Sequence, residues 1–371
     1  MASNCFGTIF RFTTWGESHG LAIGVVIDGC PAGISITVDE INVALAKRAP
    51  GSNQYVSPRK EPDRAEICSG IFNNKTTGSP VMIMIKNKAH DSSKYESTKD
   101  LLKPGHANFS YLKKYGYFDY NGSGRASGRE TASRVVAAVF AEKIIQRYGI
   151  EVLGYLDSVG PYCLDSNVLQ TENLRQKIAE NVIKCPDENV AVSIQELLIQ
   201  LQQQGDSIGG AVGFYITGVP AGLGDPIYEK LEANLAKAMM TIPASKGFEI
   251  GQGFAAINMR GSQHNDSYVD LEHCSSNHAG GILAGISNGM PIYGRVAFKP
   301  ASSIRIPQDT VNIKGEKAKF VTPPGSKHDC CVAIRAVEVV AAMAKIVLAD
   351  AILVNNSYRE LLLQDKVEVD A

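Results

Sequence analysis

The sequence lacks a surplus of charge of either sign: 37 Lys and Arg face 38 Asp and Glu over 371 residues. A chain so balanced has no global field of the kind that gathers nucleic acid or an anionic membrane, so any anion binding must be local. Paired cysteine spacing is missing too. Eight cysteines are scattered without a CxxC pair, a pattern of reduced thiols packed as small hydrophobes. The best metal candidate, His273, Cys274 and His278, has no second cluster and falls short of a zinc signature. The opening MASNCFGTIFRF has no basic segment leading into a long apolar run, so no secretory signal and a cytoplasmic location are expected. Nor does a bilayer span stand out: the most apolar stretch, residues 332–354, carries Arg335, Glu338, Lys345 and Asp350 and reads as a core helix. No Pro/Ser-rich linker or long charge run divides the chain, which points to one large α+β domain.

Apolar patterning predicts strands over residues 22–28, 65–72, 81–86, 151–159, 211–218, 253–259 and 292–298. Thr37 and Glu40 form a capping box that opens a helix closed by Pro50-Gly51, and Ser193 with Glu196 reads as a second box. Further helices are expected over residues 129–148, stopped by Gly149, and over 229–240. A faint repeat runs through these elements. IGVVIDGCPAGI and VGFYITGVPAGL each read as a strand entering G-x-P-A-G, with Gly29 and Gly218 equivalent at a spacing of 189. VVAAV at Val135 and VVAAM at Val339 echo one another at a spacing of 204, in the two longest helical stretches. Similar spacings imply two related halves, about residues 1–150 and 200–360, each a strand layer plus a long helix about a pseudo-twofold axis.

Chemistry-bearing residues concentrate in a few stretches. WGESHG sets Ser18 beside His19, but adjacent side chains usually diverge and the flanks do not match a nucleophile elbow, so a hydrolase is disfavoured. His19 stays open as a site residue or an incidental one. In NGSGRASGRETASR, Gly122, Gly124 and Gly128 lead into a long helix, with Arg125, Arg129 and Arg134 interleaved with Ser123, Ser127 and Thr131. Flexible N–H groups, hydroxyls and guanidinium forks converging on a helix N-terminus make an anion site, although the glycine spacing fits neither a Walker loop nor G-x-G-x-x-G. Arginines in that turn oppose the dipole unless an anion is present. Lys47-Arg48 and Arg59-Lys60, KPGHA with His106, SKHDCC with His328 and Asp329, and KPASSI complete the set. Asp329 reads equally as a proton acceptor or an N-cap.

Taken together these stretches resemble the chorismate synthase family, collinearly over essentially the whole chain. GESHGLAIGVVIDGCP (residues 16–31) and GSGRASGRETASRVVAAVF (122–140) match two long signatures, and KPGHA, RGSQ, SNHAGGI and KPASSI stand at the expected places. The third signature departs: Lys327-His328-Asp329-Cys330-Cys331 stands where the family reads Arg-His-Asp-Pro-Cys, and lysine has no bidentate fork. Gln54 and Ala49 also stand where many members have arginine. The resemblance implies a β-α-β sandwich assembled as a homotetramer. It implies conversion of 5-enolpyruvylshikimate 3-phosphate to chorismate and phosphate, with reduced FMN and no net redox change. NADPH enters only as flavin reductant, with a separate flavin reductase as the alternative. The resemblance assigns proton donation to the leaving phosphate to His19, the flavin's protonation state to His106, and a proton relay to Asp329, with Ser18 and Ser127 orienting it. It gives substrate anions to Arg48, Arg129, Arg134 and Lys327. FMN falls to Arg125, Ala126, Ser127, Pro243, Ala244, Ala284, Lys299, Pro300, Ala301, Ser302, Ser303 and Lys327.

Overall fold

The computed structural model describes residues 4–51, 53–57, 63–88, 92–271, 273–323, 325 and 328–362, so Arg59, Lys60 and Lys327 lie outside the described residues. The first half runs β1 (Cys5–Phe6), β2 (Arg11–Gly16), β3 (Ala22–Asp28), α1 (Val38–Arg48), β4 (Ala65–Ile67), β5 (Ile71–Phe72), β6 (Lys75–Thr76), β7 (Val81–Lys86), α2 (Asn108–Tyr115) and α3 (Thr131–Ile145). The second runs β8 (Glu151–Val159), β9 (Tyr162–Cys163), α4 (Leu174–Glu180), α5 (Glu188–Gln204), β10 (Gly210–Thr217), α6 (Leu231–Met240) and β11 (Ser245–Ile250). It continues through α7 (Gly261–His264), β12 (Ile282–Leu283), β13 (Ile286–Ser287), β14 (Ile292–Phe298), β15 (Gln308–Val311), β16 (Lys317–Phe320) and α8 (Ala333–Leu362).

Two five-stranded antiparallel sheets enclose a helical layer. Their orders are β1-β2-β3-β7-β4 and β9-β8-β10-β14-β11, so β2, β3, β7 and β4 correspond in place to β8, β10, β14 and β11. The small hairpins β5-β6 and β12-β13 occupy the same position in each half, between the fourth and third of those strands in sequence. In β7, Val81, Ile83 and Ile85 are fully buried and alternate with more exposed residues, the pattern of a strand with one face on a core. α3 is buried on nearly every side, and its alanines let α8 lie close against it; α3 packs on the first sheet and α8 on the second. This is the α+β sandwich with an internal pseudo-twofold repeat that the sequence predicts. No helix among the described residues is long and apolar enough to cross a membrane.

The G-x-P-A-G echo has a structural basis. Gly29 and Gly218 share φ +74°. In the first half the Thr76 hydroxyl donates to Pro31 O (2.7 Å) and accepts from Ile34 N (2.9 Å); in the second, Ser287 donates to Pro220 O (2.6 Å) and accepts from Leu223 N (2.9 Å). One hydroxyl therefore ties the same turn to the same hairpin in each half.

Four predicted strands coincide with β3, β7, β8 and β14, and the fifth with β10 shifted by one residue. The expected strand 65–72 is broken between β4 and β5. Residues 253–259 are not a strand: Gly253–Asn258 is a 3-10 helix, because its apolar residues Phe254 and Ile257 face solvent rather than alternate into a core. The capping box at Thr37 is present, whereas Ser193 lies inside α5, whose cap is Asp187 accepting from Val190 N. The helix expected over 129–148 has 3-10 turns at both ends, with α3 proper between them. Thr76→Val leaves the buried Ile34 amide unpaired and is expected to cost about 1–3 kcal/mol. A drop in urea midpoint measures it, and Ser287→Ala should cost a similar amount if the two turns are equivalent.

Candidate active site

A cleft of about 1580 Å³ opens between the N-terminal ends of α3 and α8 and the turns around residues 16–20, 103–107 and 299–303. His19, Arg48, His106, residues 125–127, Arg129, Arg134, Pro243, Ala244, residues 299–303 and Asp329 all line it. Ser18 lies behind the wall, 2% exposed. Ala284 does not reach this cleft: it sits exposed at the tip of the β12–β13 hairpin, with φ +52°.

The turn from β2 to β3 is closed by Gly20 N donating to Glu17 O (3.2 Å). Within it the Ser18 and His19 side chains meet, with Oγ 3.1 Å from Nδ1, against the expectation that neighbours diverge. The tight turn folds both inward. Ser18 nevertheless donates its one proton to Gly122 O (2.9 Å), so Oγ accepts from Nδ1–H. That contact puts the Nδ1 proton toward Ser18, the opposite of a base that activates the serine. The approach is so close that a Cβ on Gly122, whose φ is +60°, would stand 1.8 Å from Nδ1. Tyr95 packs T-shaped on the imidazole at 5.2 Å.

Asp63, which nothing in the sequence singles out, organises one wall. Its Oδ2 accepts from Arg48 Nη2 (3.1 Å) and its Oδ1 pairs with Arg129 Nη1; all three side chains are at most 5% exposed. The unfavourable dipole of arginines ahead of α3 is thus answered inside the chain. Arg48 also donates to Gly128 O and Thr131 Oγ1 (both 3.3 Å), while its Nε is buried with no hydrogen-bond partner among the described residues. Burial, then the nearby Arg335, push the Arg48 guanidinium down to about 10, against the pull of Asp63. It remains a cation at neutral pH.

Two of the arginines predicted to grip an anion also fasten the fold. Arg125 donates to Thr14 O (3.2 Å), Thr14 Oγ1 (2.7 Å) and Gly16 O (3.3 Å), fastening the Gly/Arg loop to β2. Arg134 pairs with Glu130 (2.8 Å) and donates to Thr241 O (3.0 Å). Ser127 caps the 3-10 turn before α3 by accepting from Arg129 N (3.3 Å).

The opposite wall is cationic. Lys103 Nζ donates to Ser303 Oγ (2.5 Å), and Lys299 Nζ donates to Gly105 O. Burial and the neighbouring Lys299 lower Lys103 to about 8. Burial, Lys103 and Lys299 lower His106 to about 4; burial and Lys103 do the same to His328. His106 Nδ1 accepts from Ala107 N (2.8 Å), so the neutral ring carries its proton on Nε2. Asp329 is no N-cap: its Oδ1 accepts from Ser57 N (2.9 Å) and its Oδ2 from Arg335 Nη2 (2.6 Å) and Nε (3.1 Å). Sequence reading noticed Arg335 only as a charge on an apolar helix. His273 and His278 face separate carboxylates, Asp270 and Asp266.

Asp63→Ala strands two buried guanidiniums and is expected to cost about 3–5 kcal/mol, seen as a lower unfolding midpoint. An anion between Lys103 and Lys299 offsets the repulsion that lowers Lys103 and His106, so both pKa values rise. Near pH 8, binding of inorganic phosphate or FMN should therefore take up protons. Calorimetry in buffers of different ionisation enthalpy measures this, and net proton release would contradict it.

Comparison with known proteins bears on the family and the fold. The family model described as chorismate synthase matches residues 10–353. A chorismate synthase of Protochlamydia amoebophila is 52% identical over 363 residues, covering 96% of this chain and 99% of that protein. One of Cytophaga hutchinsonii is 45% identical over 364 residues, with the same coverage. A crystal structure of chorismate synthase superposes with a TM-score of 0.75 at 28% identity, over 97% of this chain and 99% of the other. With a matching fold, a matching family model and relatives of this identity along nearly its whole length, the chain belongs to the chorismate synthase family of enzymes.

Proposed function

We propose that the chain converts 5-enolpyruvylshikimate 3-phosphate to chorismate and phosphate by an anti-1,4-elimination that requires reduced FMN and leaves no net redox change. Members of this family form chorismate in the shikimate pathway. The observation that carries the finer reading is the cleft itself. Its volume, about 1580 Å³, exceeds the roughly 300–1,000 Å³ of a single small-molecule site. Its two walls are cationic by separate devices, an Asp63-bridged arginine pair and a lysine–histidine cluster. That suits two anionic ligands side by side.

The fit to FMN rests on Lys103 and Lys299, which repel one another across a wall where the carboxylate Asp329 bears on His328. A phosphorylated flavin supplies the missing negative charge. Residues 125–127, Pro243, Ala244 and 299–303 would hold it; Ala284 and Lys327, which the resemblance adds, stand respectively off this cleft and outside the described residues. When bound, reduced FMN would supply transient electron density for cleavage of the C–O bond.

In the elimination a ring C–H and the C–O bond to phosphate break while a ring double bond forms. Arg48 and Arg129, prealigned by Asp63, bind substrate anions. Arg134 holds the wall behind them. His19, its Nδ1–H held by Ser18, donates from Nε2 as the imidazolium: the Nε2 proton passes to the departing phosphate oxygen and the ring is left as the neutral Nδ1–H tautomer. His106, kept neutral with its proton on Nε2, sets the protonation state of the cofactor side, and Asp329, held by Arg335, accepts the ring proton. Ser127 keeps the Gly/Arg loop in place. The working unit is a cytoplasmic homotetramer, one domain per subunit built from two related halves of about residues 1–150 and 200–360. NADPH or a separate reductase supplies reduced flavin.

Supplying the substrate with chemically reduced FMN anaerobically should release phosphate and form chorismate while the flavin spectrum returns unchanged. Stoichiometric flavin oxidation would point to an oxidoreductase and sink the proposal. His19→Ala and His106→Ala should each lower kcat by roughly 10²–10⁴-fold with unfolding midpoints near wild type; normal turnover in either removes that histidine from the mechanism.

A further inference from the structure

Asn87 is the first residue beyond β7 and is 7% exposed. Its backbone N donates to Leu21 O (3.1 Å). Its carboxamide has three polar partners. Nδ2 donates to Glu17 O (2.9 Å) and to Gly20 O (2.8 Å), the two ends of the turn that carries Ser18 and His19. Oδ1 accepts from Arg129 Nε (3.0 Å). The amide orientation is dictated by chemistry, since two carbonyls can only accept and a guanidinium can only donate. Both donor hydrogens and the acceptor are therefore committed, and one rigid side chain joins the proton-donor turn to the arginine wall.

We infer that Asn87 is a positioning residue that sets the distance between the His19 turn and the Arg129 guanidinium. On the function proposed above, anion capture and proton delivery then occur in fixed register. Aspartate is nearly isosteric at this position and keeps an acceptor for Arg129, but it turns oxygen lone pairs toward Glu17 O and Gly20 O. Alanine removes all three bonds. The two variants separate a tie to Arg129 from a tie to the turn.

The test uses full-length enzyme with substrate and reduced FMN, and two readouts. In steady-state kinetics Asn87→Asp should lower kcat by roughly 10–100-fold, the cost of misplacing a group by about 1 Å, with KM within about threefold. Asn87→Ala should lower kcat as much and raise KM as well, because Arg129 Nε loses its Asn87 acceptor. If the alanine variant cannot be isolated folded, Asn87→Ser replaces it. Independently of turnover, ¹⁵N spectra should show the His19 ring protonated at Nδ1 in the wild type and lose that signature in both variants. Wild-type kcat in Asn87→Asp with the Nδ1 signature intact overturns the inference, as does a variant whose only change is its unfolding midpoint. Were the wild type to release no phosphate from the substrate, the proposed function would fail while the nitrogen spectra still decide the role of Asn87.

Discussion

The site depends on one carboxylate. Asp63 lies almost fully buried between two guanidiniums that burial would otherwise make intolerable neighbours, and it is through Asp63 that α1, which ends at Arg48, and the turn ahead of α3 come to share a wall. The cost of burying three charges is met only because each oxygen of the carboxylate has its own arginine and because Arg48 and Arg129 reach further polar partners. Desolvation of the cations has already been borne by folding, so an incoming anion meets a site that needs little reorganisation.

The other cationic wall works differently. Burial, then Lys299, lowers the proton affinity of Lys103; burial, then the neighbouring cations, lowers that of His106 and His328, so the two histidines are neutral at physiological pH. One wall is charged and balanced; the other is partly discharged and responsive. A cleft with these unequal walls can bind one anion by fixed charge and adjust its protonation around a second.

Much of the frame was legible because strands such as β3, β7 and β14 are apolar runs bounded by turn residues, and a capping box marks the start of α1. The run at 253–258 misled because apolar composition without alternation says nothing about which way the residues face. At the site, sequence supplied the stretches but not their partners within the chain. His19, His106 and Asp329 announce themselves by motif, and the resemblance to chorismate synthases adds their expected roles. Arg125 and Arg134 show only that they are charged; that one grips β2 and the other Glu130 is a property of the folded chain. Asp63 and Asn87 were invisible for the same reason. A lone polar residue just before or after a strand has no period, and its importance comes wholly from what the other half of the domain, or the next turn, brings against it.

The pseudo-twofold arrangement has one more consequence. Asn87 follows β7 and Lys299 follows β14, so they occupy the same address in the two halves, and both stand at the cleft or directly behind its wall. The N-terminal ends of α3 and α8 are matched in the same way. A frame with this near-symmetry is indifferent to which way round a ligand enters. Direction has to be written into the pairs of matched positions where the halves disagree: a carboxamide that reads backbone on one side, an ammonium that answers charge on the other.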